Sequence, residues 1–203
     1  MINKVINIDE SNPMHKDLMK MMNYANDSNL IVVARSYKNR KDDAVEPVEI
    51  KNGIYFYVAY DLGASLVFPA NVTAAQIAIA KSNMANKARL GTLMGASMTA
   101  AKLGNFMKYI NEFNDWEKPM IVLTTDKLEN GAGLLLCKDV LTFIKAKLGD
   151  CYILPSSIHE VLLMPTHMMS ILDATEMVVG ANRDAVTDDV YLAHRAFNID
   201  EWL

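Results

Sequence analysis

Between Cys151 and Pro165 the chain reads C-Y-I-L-P-S-S-I-H-E-V-L-L-M-P, two short apolar runs on either side of a polar knot that holds Ser156, Ser157, His159 and Glu160. Apolar runs of about 4–8 residues suit strands rather than helices. Residues 152–154 and 158–164 are therefore expected as two strands flanking Pro155 and the serine pair. In a strand, successive side chains point to opposite faces, so His159 and Glu160 would diverge. Catalysis with Ser156 or Ser157 as nucleophile, His159 as base and Glu160 as orienting carboxylate needs them to converge. No glycine flanks either serine, as it would in a nucleophile elbow. The knot is expected to be structural, its serines satisfying backbone groups after Pro155 and His159 or Glu160 bonding across the sheet. Asp126 and Asp150 are candidate partners for His159 from other segments.

The rest of the chain mixes both kinds of element. Met14, Leu18, Met21, Met22 and Ala25 fall at helical spacing over residues 13–26, with Ser11 or Asn12 as cap before Pro13. Residues 30–34 form a β-branched run, and the charged stretch 36–43 reads as an exposed loop or hairpin. Lys51, Asn52 and Gly53 supply a turn into the strand I-Y-F-Y-V-A-Y, which is expected to pair tightly with a strand at 64–68. Asn71 or Thr73 caps a helix running to about Lys87, with Ile77, Ala80, Met84 and Ala88 on one face. Residues 91–104 are small and weakly periodic, so a mobile connection or a short helix is expected there.

In the C-terminal half, residues 120–124 and 131–137 read as a hairpin around a turn at 126–130. A helix follows at 138–148, with Gly149 as its stop. Asp173 is expected to cap a helix to about Ala181, and residues 190–193 to form a short strand or turn. Residues 197–203, including Trp202, carry apolar groups that dock on the body or on a neighbour. Hairpins favour antiparallel pairing. The expected fold is α+β: a mixed or mainly antiparallel sheet with helices packed on one face, over residues 51–203, preceded by an appendage of helix, strand and loop at 1–50.

Composition narrows the function classes. A net charge of −4, with the cluster Arg35, Lys38, Arg40 and Lys41 followed at once by two aspartates, offers no footprint for duplex nucleic acid. Apolar stretches such as 131–137 fall far short of the roughly 20 residues that cross a bilayer, and the first residues lack the pattern of a secretory signal. A soluble, cytoplasmic protein is expected. Cys137 and Cys151 sit in or beside apolar runs and read as two buried thiols. The histidines His15, His167 and His194 are scattered, no metal-ligand spacing occurs, and neither a metal nor a cofactor is expected. Gly91, Gly95 and Gly104 lack the signature of a phosphate loop.

The block N-G-A-G-L-L-L-C-K-D-V-L-T-F-I-K-A-K-L-G-D-C-Y-I-L-P-S-S-I-H-E-V-L-L-M-P, from Asn130 to Pro165, resembles that of a bacterial domain-of-unknown-function family, number 5688. Upstream, A-S-L-V-F-P-A-N-V-T-A-A-Q-I-A-I-A-K-S-N is similar in kind to that family's strand, helix and Ala-x-x-Asn element. The resemblance is good over 130–179 and loose over 55–83. Family members are longer at the N-terminus, so the chain resembles a shortened version. The resemblance implies no activity, and it marks residues 154–160 as the motif to test.

The leading expectation is a non-catalytic interaction module that binds another protein, or itself, through Met14, Leu18, Met21, Met22 and Trp202. Fourteen methionines supply adaptable contact material. The alternative is a small-ligand binder or hydrolase built on Ser156, Ser157, His159 and Glu160.

Overall fold

Asn52 and Gly53 both take positive φ, 55° and 78°, the left-handed turn with which an Asn-Gly pair matches the twist of two strands. β2 (Glu49–Lys51) and β3 (Ile54–Asp61) run antiparallel from it. The computed structural model describes residues 26–39, 45–63, 67–94, 97–102, 120–155, 157–184, 187 and 190–203. The expected helix at 13–26 thus lies almost wholly outside the described residues, and so does Ser156.

β1 (Leu30–Ser36) pairs with β3 along its whole length, from Leu30 opposite Tyr60 to Ser36 opposite Ile54. β4 (Val67–Pro69) lies against the end of β3, as the hairpin partner expected after Gly63. The segments divided at residue 50 in the sequence reading share this sheet. β1 ends the sheet, and an uncovered strand edge invites pairing with other chains. Here its outward carbonyls are covered: the Asn83 amide donates to Leu30 O at 3.0 Å, Arg35 donates to Ala34 O at 3.0 Å, and Gly133 sits directly on Val32 O.

Thr73 starts α1 (Ala74–Lys87). Its hydroxyl accepts from the Gln76 amide at 3.3 Å while the Gln76 side chain accepts from the Thr73 amide at 3.1 Å, a reciprocal cap worth about 1 kcal/mol. Ala80 and Met84 are its buried residues. The chain passes straight from α1 into β5 (Ala88–Met94), which pairs with β6 (Ser97–Lys102) on one side and β7 (Met120–Thr125) on the other. Over the described residues 91–94 and 97–102, the mobile connection or short helix expected at 91–104 is therefore corrected to two paired strands. Small side chains pack weakly, but six registered pairs on each flank of β5 hold its backbone.

The second expected strand at 131–137 is also corrected. Gly131–Leu136 forms a 3-10 turn buried at every position, followed by α2 (Lys138–Leu148), which Gly149 ends at φ 75°. An apolar run of this length does not distinguish a strand from a buried helical turn. β8 (Cys151–Leu154) and β9 (Val161–Pro165) then pair with each other, and the second sheet runs β10-β8-β9-β7-β5-β6, antiparallel throughout. α3 (Ile171–Asp184) follows. Its cap is Ser170 rather than Asp173: the Ser170 hydroxyl accepts from the Asp173 amide at 3.2 Å, and the Asp173 carboxylate accepts from the Ser170 amide at 3.3 Å.

Alternation along β8 and β9 divides the interior. Cys151, Ile153, Val161 and Leu163 face the main core, shared with β1, β3, β7, the 3-10 turn and α2. Leu154 and Met164 instead join a second cluster with Ala174 and Val178 of α3. α3 thus covers the side of the second sheet that the main core does not. The C-terminus closes the main core: β10 (Phe197–Asn198) pairs with β8, and Trp202, 1% exposed, meets Phe56 and Phe197 edge-on at 6.1 and 5.7 Å. The fold is α+β, built from antiparallel sheets and helices.

Candidate functional site

The polar knot is a bend. β9 begins at Val161, and Ser157 to Glu160 lie between the strands, so the extended segment expected from residue 158 is corrected. The physical reason lies in the partners its backbone finds. Ser157, 6% exposed, bridges Tyr191, and its hydroxyl accepts from the His159 amide at 2.9 Å, a serine turn that curls the chain. The Ile158 amide donates to Val190 O at 3.0 Å, and Ile158 O accepts from the Ala132 amide at 3.2 Å.

His159 contributes mainly through its carbonyl. That oxygen accepts from the Gly131 amide and from the Thr124 hydroxyl, both at 2.9 Å. The ring Nδ1 faces the Asn130 amide at 3.5 Å, long for a hydrogen bond. Asn130 adopts φ 54°, turning the chain into the buried 3-10 turn. Gly131 is required at the join: a Cβ there would overlap His159 O and lie 2.7 Å from Thr124 Cα. The bend and the 3-10 turn therefore lock together through backbone groups.

The acids named for His159 have other partners. Asp126 faces Arg89 at 3.6 Å, and Asp150 faces Lys145 at 3.3 Å. Glu160 is half-buried on the bend. Of the residues expected to bind a partner, Met14, Leu18, Met21 and Met22 lie outside the described residues, and Trp202 docks on its own chain. Among the described residues, no three His, Cys, Asp or Glu side chains gather as a metal-binding group. No described helix is long and apolar enough to cross a membrane. Cys137 and Cys151 are free and buried, and burial pushes each thiol up to about 12.

Two features escaped the sequence. Asp61, at the end of β3, receives Lys127 at 2.8 Å and lies 3.6 Å from Lys87. Burial raises its carboxyl pKa, but the Lys127 and Gly63 hydrogen bonds and the two lysine charges outweigh that and hold it below the usual range. The adjoining cavity of about 10 Å³ has room for roughly one water. These residues come from three elements far apart in the chain, and no local spacing announces them. The second feature is the outer face of α3, where Leu172 is 73% and Val179 49% exposed. Their spacing of seven could have been read as a helical row, but Ala174 and Val178 claim the buried face of the same helix.

Among the described residues, two open clefts lie elsewhere. One, of about 390 Å³, runs between α1 and the start of α2, with Lys81, Ser82, Asn86 and Lys138 along it. The other, of about 610 Å³, is edged by Asp150, Tyr152, Thr166, Asn198 and Asp200.

The family model for DUF5688, a family of unknown function, matches residues 68–200. The chain belongs to this family. The DUF5688 match takes in the bend, the 3-10 turn and the three described helices, while β1 to β3 precede it. No curated protein and no solved structure matches the chain.

Proposed function

We propose that this DUF5688 protein is a non-catalytic interaction module of the cytoplasm that binds another protein through the outer face of α3. One observation carries the reading: Leu172 and Val179, two helical turns apart, point outward from a helix whose opposite side is anchored by Ala174 and Val178. Single exposed apolar residues are ordinary. An aligned pair on one helix face fits a contact of the helix-in-groove kind. The candidate chemical centre supports the same reading, since the Ser157 hydroxyl and the His159 carbonyl are engaged in holding the bend. Two free, buried thiols fit a reducing compartment.

The test compares two variants with the parent in cross-linking capture from the native host. Leu172→Asp with Val179→Asp removes the captured protein and leaves the melting temperature within a few degrees. Ser157→Ala lowers the melting temperature while the folded fraction still captures. Loss of capture or of a hydrolytic activity in Ser157→Ala or His159→Ala at unchanged stability would instead favour a ligand-binding or hydrolytic bend.

A further inference from the structure

We draw no further inference here: the strongest candidate, the open cleft of about 390 Å³ between α1 and the first turn of α2, with Lys81 and Lys138 along it, is a helix N-terminus beside two lysines, and nothing among the described residues shows what would occupy it.

Discussion

The Gly131 amide donates to the His159 carbonyl at 2.9 Å, and the same carbonyl leaves no room for a side chain on Gly131. Hydrogen bond and steric demand fall on the same carbonyl oxygen. The approach that makes the bond is the approach that excludes a Cβ. Gly131→Ala should therefore destabilise the fold by about 2–4 kcal/mol, through overlap and the loss of a buried bond. Gly133→Ala, which would press on Val32 O, should cost about as much. Urea unfolding checks both, and a change below about 0.5 kcal/mol would mean the close approach is not made.

Trp202 lies one residue from the end of the chain yet is enclosed between Phe56 of β3 and Phe197 of β10. Trp202→Ala should cost about 3–5 kcal/mol, as expected for a large buried ring. Thermal unfolding reads this directly. A near-neutral result would place the ring at the surface.

Asp61 predicts a pH dependence with a definite sign. Its folded pKa lies below the unfolded value of about 3.9, so its stabilisation is present above that pH and is lost as pH falls through the lower folded value. Asp61→Asn should lower stability near neutrality. Below about pH 4 its stability should fall less steeply than that of the parent. Parallel melting curves from neutral to acid pH would show that Lys87 and Lys127 contribute nothing through this carboxylate.

Cys137 and Cys151 should be inert in the folded protein. Burial pushes both thiols up to about 12, so at pH 8 almost no thiolate is present to react. A thiol reagent should label neither cysteine until denaturant is added, and then both. Rapid native labelling of either one would contradict their enclosure.

Local chemistry made several elements readable in advance. The Asn52-Gly53 turn, the cap expected at Asn71 or Thr73 and found at Thr73, and the Gly149 stop each act within a few residues of chain. The elements misread depend on distant partners. Gly131–Leu136 looks like a strand because its glycines reveal their purpose only against Val32 and His159. β5 and β6 look flexible because small residues say little about packing, whereas their pairing with each other and with β7 is decisive. Ile158 to Glu160 look extended because a serine turn and carbonyls aimed at Thr124, Gly131 and Ala132 are not coded in the alternation of polar and apolar residues. Asp173 was legible as a capping residue, and its role at the third helical position depended on Ser170 before it.

The claim on which the non-catalytic part of the functional reading turns is that the polar bend is spent on the fold. Urea unfolding of Ser157→Ala tests it most directly. The account predicts a lower midpoint at unchanged slope, a loss of about 1–2 kcal/mol as the His159 amide is left without its acceptor. A midpoint equal to that of the parent would contradict it and return Ser157 to the list of residues with chemistry to do.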